Sequence, residues 1–286
     1  MESRKQPLNW SDETLDSCIE SLANDTPIAH FPIPELNEAM GGVHKGRLTV
    51  VAGPPGSGKT SLMNMLKTDL AMQGIPVVYI FYEMAERSLV AKSVSYLSHE
   101  TVKVSSFPDY IGTPELETAV ERYREIAPLV CHYDAIEDGG NILDAMDRAC
   151  VEKGTPCVLI VDYLQLMPMR DRALQTEERT QVKNAMADLR HVAMKLECPV
   201  FAVSAINRTN YNKPDAGLDA MAESSAIEYG ADMVMNLVVP GNSKERAENL
   251  KKAVRPVDAS ILKSRYGSCD VVELEFVTEY AFFRKR

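Results

Sequence analysis

Residues 48–61, Leu-Thr-Val-Val-Ala-Gly-Pro-Pro-Gly-Ser-Gly-Lys-Thr-Ser, decide how this chain is read. An apolar strand, Leu48 to Ala52, runs into Gly53-Pro54-Pro55-Gly56-Ser57-Gly58-Lys59-Thr60, and a helical stretch from Lys59 to Met72 follows. The loop is a full match to GxxxxGK[ST], in the strand-to-helix setting that the motif requires. Glycines let the backbone wrap closely round a phosphate with its N–H groups pointing inward, and the helix N-terminus adds positive potential. Lys59 is placed to reach β- and γ-phosphates, and the Thr60 hydroxyl to ligate Mg²⁺. Gly53 through Ser61 are therefore the candidate nucleotide-binding residues. The bland alternative, a chance glycine turn, does not account for the flanking strand and helix.

Two carboxylates stand at strand ends where such a loop would need them. Val158-Leu-Ile-Val-Asp162 is an apolar strand ending in an acid, which puts Asp162 at the carboxyl edge of a parallel sheet as a second metal-holding group. Val77–Tyr82 ends in Glu83, which at the same edge could orient or deprotonate an attacking water. Read without the loop, both would be ordinary solvated strand-end acids.

Outward from this core, strand-like runs at Pro76–Tyr82, Leu129–Tyr133, Cys157–Asp162 and Pro199–Ser204 alternate with helical patterns. Residues 178–196 form the longest helical pattern, with apolar residues at Val182, Met186, Leu189, Ala193 and Leu196. Alternation of this kind predicts a largely parallel sheet covered on both faces. From Asp232 onward the chain reads as three or four β-segments with a charged insertion at 241–253, which predicts added strands at one edge. Near the N-terminus, Leu15, Cys18, Ile19 and Leu22 have helical spacing, and residues 25–35 hold three prolines and read as a linker.

With 286 residues, 45% of them hydrophobic and 25% charged, the chain is long enough for one large α/β domain plus a short arm. No apolar run approaches a membrane span, and no secretory signal is visible. The cysteines at 18, 131, 150, 157, 198 and 269 form no CxxC pair, so a zinc site is not expected. Cys157 and Cys198 read as small buried hydrophobes, and a reduced, cytoplasmic location fits. The net charge of -10 argues against coating nucleic acid by bulk charge, although residues 244–286, with ten Lys/Arg against seven Asp/Glu, are basic.

Six blocks in sequence carry a resemblance: GRLTVVAGPPGSGKTS, YIFYEM, CVLIVDYLQLM, PVFAVSAINR, ESSAIEYGAD and KSRYG. Their order and spacing resemble the C-terminal motor domain of DnaB-family replicative helicases. The resemblance implies a RecA-like ATPase core over 31–286, preceded by a helix and proline-containing linker over 1–30, and ATP with Mg²⁺ as ligands. It implies that Glu83 is the catalytic glutamate and Asp162 the Walker B aspartate. Lys263 and Arg265 match the Lys-x-Arg pair that reaches into a neighbouring subunit's site, which implies a ring, six subunits in the family pattern, moving on single-stranded DNA in replication with loader or other replication proteins. Without the resemblance, Lys263 and Arg265 would read as a solvated strand face near the turn at Gly267.

The chain departs from the family pattern in three places. Ala205 stands where a γ-phosphate-sensing glutamine is usual, which puts coupling of hydrolysis to DNA in question. The DNA-contacting turn reads Ala222-Glu223-Ser224-Ser225 in place of Arg-Glu-Ser-Gly. A separate collar domain ahead of residue 31 is not expected. The candidate DNA-facing residues are Arg170, Arg172, Arg208, Lys213, Glu223 and Ser224, with Tyr211 as an aromatic platform between two of the basic residues. Helix 11–23 has two readings, docking on an adjacent subunit or packing on its own core. A nucleotide-driven switch without unwinding, and a filament former, are the rival functions.

Overall fold

The computed structural model describes residues 11–134, 142–167, 178–205 and 224–286. The strands are β1 (Leu48–Gly53), β2 (Val77–Phe81), β3 (Val130–Asp134), β4 (Val158–Asp162), β5 (Val200–Ala205), β6 (Met233–Val238), β7 (Val254–Ser264), β8 (Val271–Val277) and β9 (Phe282–Lys285). They form one sheet in the order β3-β2-β4-β5-β1-β6-β7-β8-β9. Pairing is parallel from β3 through β6 and antiparallel from β6 to β9. The parallel core with an antiparallel C-terminal edge is the architecture expected from the alternation of strand and helix patterns.

The helices are α1 (Ser11–Ala23), α2 (Pro34–Met40), α3 (Lys59–Met72), α4 (Glu86–Leu97), α5 (Pro114–Ile126), α6 (Ile142–Lys153), α7 (Glu178–Leu196), α8 (Ser224–Gly230) and α9 (Ser243–Asn249). Strands β1, β2 and β4 are buried at every position, because helices cover both faces of the sheet. One core layer joins Val51, Tyr79, Ile160 and Phe201 to Leu36 and Met40 of α2 and Leu62, Leu66 and Leu70 of α3. The other joins Val50, Ile80, Leu159 and Val200 to Met146 of α6 and Val182, Met186, Leu189 and Ala193 of α7. Burial of this extent supplies the main folding force, at about 25 cal/mol per Å² of apolar surface removed from water. By contrast β8, with water on one face, alternates exposed and buried positions.

Three readings meet a refinement here. The proline-containing stretch 25–35 carries no regular element before Pro34, but it is not a loose tether. Ile28 and Val43 donate backbone hydrogen bonds to Val43 and Ala29, and Ala29, Phe31 and Ile33 are buried in the core, with Phe31 edge-on to Phe201 at 5.8 Å. Pro34 occupies the first turn of α2, where its missing N–H costs no helical bond. Helix α1 does not pack on its own core: Leu15, Ile19 and Leu22 are 55–76% exposed along one stripe. The charged insertion 241–253 contains α9, opened by a reciprocal capping box between Asn242 and Glu245. Among the described helices none is long and apolar enough to cross a membrane.

Candidate nucleotide-binding site

The glycine loop follows β1 and ends in α3, whose first residue is Lys59. Its backbone is tailored to glycine at both ends. A Cβ at Gly53 would lie 2.7 Å from the Leu237 carbonyl and the Ser57 hydroxyl. One at Gly58, where φ is +92°, would lie 2.5 Å from the Phe283 ring. Between them, Pro54 accepts from the Ser57 hydroxyl at 2.9 Å, Pro55 continues the turn, and the Gly56 carbonyl accepts from Arg255 at 3.1 Å. The Lys59 ammonium folds over the loop onto the Gly53 and Pro54 carbonyls, at 2.8 and 3.1 Å. Burial draws this ammonium down to about 8, against the opposing charges of Asp162 and Glu83. An ammonium buried at a helix N-terminus suits a polyanion.

Asp162 is buried at the end of β4, one strand removed from β1, because β5 lies between them. The Thr60 hydroxyl lies near enough to the Asp162 carboxylate to lower its pKa, so the two candidate metal ligands are close to each other. Burial raises the Asp162 carboxyl above its ordinary value, against the Thr60 and Tyr79 hydroxyls and the Lys59 and Lys92 charges. This pairing of a hydroxyl with a buried carboxylate, next to Lys59, fits a hard divalent cation shared with phosphate oxygens. Glu83 is exposed just past β2, beyond the level where Phe81 pairs with Asp162, and its charge is felt at Lys59. Ser61 accepts from Lys92 at 3.3 Å. Lys59, Thr60, Asp162 and Glu83 thus share one sheet edge.

Lys263 and Arg265 are elsewhere. Met233 pairs with Thr49 on one side and Ser264 on the other, which sets the end of β7 level with the start of β1. The glycine loop leaves the far end of β1, so along the strand direction Gly53 is three residues, about 10 Å, beyond the level of Lys263 and five residues, about 17 Å, beyond that of Arg265. Lys263 donates to the Glu228 and Ala231 carbonyls at the end of α8, and Arg265 to Tyr229 O and the Asp232 carboxylate, both at 3.1 Å. Neither is a free solvated side chain. Burial lowers the Lys263 pKa, with Arg265 adding to the shift.

Three side chains that no sequence pattern singles out complete this region. Tyr79, by pattern one apolar strand residue among others, donates to Asp162 at 2.9 Å. Gln165, within DYLQLM, donates to Ser204 at 3.0 Å and accepts from the Ala205 N–H at 3.3 Å. It therefore supplies an amide at the strand end where Ala205 has none, level with Gly53. Asp232, the last letter of ESSAIEYGAD, is fully buried and binds Arg190 and Arg265. Of the candidate DNA contacts, Arg170, Arg172, Arg208, Lys213 and Glu223 lie outside the described residues. Ser224 opens α8, and its side chain lies outside them too.

Residues 31–285 match the family described as DnaB-like helicase C terminal domain. The replicative DNA helicase DnaB of Leifsonia xyli subsp. xyli is 26% identical over 261 residues, covering 87% of this chain and 54% of that protein. The DnaB-like replicative helicase of Enterobacteria phage T4 is 25% identical over 268 residues, covering 91% and 54%. The chain thus spans about half the length of these curated relatives. Among solved structures, an isolated ATPase domain superposes with a TM-score of 0.79 at 21% identity, covering 98% of this chain and all of that one, a likeness of fold. A DnaB-like replicative helicase studied with primase gives 0.78 at 18% identity, covering 100% and 69%. The match runs from the buried Phe31 through the glycine loop, the two strand-end acids and the Lys-x-Arg strand to the last strand of the sheet, and on that extent the chain belongs to the DnaB-like helicase C-terminal domain family.

Proposed function

We propose that this chain is the motor domain of a replicative DNA helicase, hydrolysing ATP at interfaces between subunits to translocate on single-stranded DNA. One observation carries the reading. The phosphate-binding lysine and both carboxylates occupy one edge of the sheet, while Lys263 and Arg265 lie toward the other, about 10 and 17 Å along the strand direction from their own glycine loop. A pair so placed serves catalysis only if a neighbouring copy's nucleotide lies against it. The exposed stripe Leu15, Ile19 and Leu22 on α1 adds an apolar face fitted to such a neighbour, in a closed ring of six.

In this reading Gly53 to Ser61 cradle the triphosphate, and Lys59 neutralises its β- and γ-oxygens. Thr60 and Asp162 hold Mg²⁺, which supplies charge neutralisation on the phosphates. Glu83 orients a water and takes its proton as the water oxygen bonds to the γ-phosphorus and the bond to the β-phosphate oxygen breaks. Arg265 of the adjacent copy, supported by Lys263, offsets charge on the transferred group; loss of such an arginine costs about 10³- to 10⁵-fold in rate. Arg170, Arg172, Arg208, Lys213, Glu223 and Ser224 line the DNA path, with loader or other replication proteins as further partners. The cytoplasm is the compartment that keeps the six free cysteines reduced.

The test is ATPase rate with and without single-stranded DNA, alongside particle mass by light scattering with ATP and Mg²⁺. Strong stimulation in a six-subunit particle is expected. Hydrolysis indifferent to DNA in a monomer would refute the motor reading and leave a nucleotide switch.

A further inference from the structure

Arg265 is a long side chain that must reach a nucleotide in another subunit, so something in its own chain has to aim it. Among the described residues, Asp232 is the charged group in that position. It has no exposed surface, and its two carboxylate oxygens are divided between separate tasks. Oδ1 accepts from Arg265 Nη1 at 3.1 Å. Oδ2 accepts from Arg190 of α7 and from the Leu48 backbone N–H, the latter at 2.8 Å. The backbone repeats the linkage, with Asp232 N–H donating to Leu48 O at 2.8 Å and Arg265 N–H donating to Asp232 O at 3.1 Å. Arg265 is held on its other side by Tyr229 O, so the guanidinium is gripped at two nitrogens while its side chain is 42% exposed.

We propose that Asp232 is the positioning residue for the intersubunit arginine, fixing the Arg265 guanidinium in direction and indexing it to Leu48, the first residue of the strand that ends in the chain's own glycine loop. The inference rests on the shared-site reading above and adds a residue to it. A carboxylate buried without exposure is costly unless its lone pairs are satisfied, and here three donors satisfy it, two of them cationic. The same satisfaction leaves Arg265 few alternative rotamers. A displacement of about 1 Å in a catalytic group costs about 10²-fold in rate, so loss of the grip is read in turnover before it is read in ATP binding.

Asp232→Asn keeps the shape of the side chain and the bond from Leu48 while removing the charge that holds Arg265. The full chain carrying it is expected to lose about 10²-fold in kcat with KM for ATP within about threefold. A brace serving only the fold would not produce the next result. Mixed with Glu83→Gln subunits, Asp232→Asn subunits contribute their intact Glu83 and receive an intact Arg265 from the neighbour, so activity rises above the sum of the two. Arg265→Ala mixed with Glu83→Gln is the parallel experiment. If Arg265→Ala is rescued and Asp232→Asn is not, Asp232 serves its own subunit and the proposal is overturned. If neither is rescued, shared sites themselves fail, and the role of Asp232 falls with them. Should Asp232→Asn not fold, Arg265→Lys carries the test. Lysine keeps the charge but lacks the planar fork that meets Asp232 and Tyr229 together. Activity as low as that of Arg265→Ala is expected, and near-normal activity overturns the claim that aim is what matters.

Discussion

Replacing Gly58 by alanine tests whether the C-terminal strands belong to the nucleotide site. Gly58 and Gly74 share a left-handed backbone, with φ of +92° and +81°, so an alanine at either carries a similar conformational cost of about 1–2 kcal/mol. Part of that is returned by the stiffer unfolded chain, about 0.4–1 kcal/mol. The surroundings differ. A Cβ at Gly74 meets nothing within 4 Å, whereas one at Gly58 lies 2.5 Å from Phe283 Cζ and 3.0 Å from Phe276 Cδ1. Carbon atoms want about 3.5–4.0 Å, so the rings or the loop must move by about 1 Å. The rings are poorly placed to yield: Phe276 and Phe283 pair across β8 and β9, stack at 4.6 Å and are buried. Overpacking of this kind costs about 1–3 kcal/mol, and that is the expected excess for Gly58→Ala over Gly74→Ala. Urea unfolding of both variants measures it as a lower midpoint at unchanged m. If the loop yields instead of the rings, KM for ATP rises as the phosphate cradle shifts. Phe283→Leu removes the clashing carbon and should recover part of the loss as a favourable coupling in the double variant. Equal stability of the two alanine variants, with unaltered KM, would refute the claim that the aromatic pair braces the glycine loop.

Burial holds the Lys67 ammonium down to about 7 and the His132 imidazole to about 3, with Lys67 adding to the latter shift. The unfolded chain then binds protons that the folded chain refuses, so stability should rise with pH across both windows, by about 2 kcal/mol between pH 7 and 9 from Lys67 alone. Urea midpoints across pH 5 to 9 check this, and an unchanged slope in Lys67→Met would count against it. Asp at both Leu15 and Ile19 should reduce self-association without lowering the thermal midpoint, because neither side chain is packed; light scattering unchanged by the substitutions would remove α1 from the interface. Gln165→Leu leaves the Ala205 N–H and Ser204 hydroxyl short of a partner, a cost of about 1–3 kcal/mol, or a fall of several degrees in Tm. The same variant should blunt stimulation of the ATPase by DNA, and full stimulation would show that Gln165 does not replace the amide missing at Ala205.

What could be read in advance, and what could not, follows from how each role is encoded. The glycine loop was legible because a loop that turns backbone N–H groups inward needs specific residues at adjacent positions, and adjacency is what a sequence displays. Glu83 and Asp162 were legible for a related reason: an apolar run ending in an acid reports a strand end, and parallel strands bring their ends to one edge. The stripe on α1 was legible as a face in need of cover, though a stripe does not say whose surface covers it. The packing of Phe31 was hidden by prolines, which forbid a regular element but place no limit on burial. Lys263 and Arg265 drew notice only through resemblance, since a Lys-x-Arg pair near a turn is common on solvated strands. Tyr79, Gln165 and Asp232 escaped notice because their roles depend on register between distant strands. Asp232 reaches Leu48 across 184 positions and Tyr79 reaches Asp162 across 83. No local period records such a pairing. It arises only once β6 is set beside β1, and β2 beside β4, by the order of the sheet. Ala205 makes the same point from the other side. Taken alone it announces a lost contact, yet the fold returns an amide to that strand end from Gln165, 40 residues earlier. A departure from a family pattern is therefore evidence about one position, and whether the chemistry is lost depends on which neighbour the topology brings to that place.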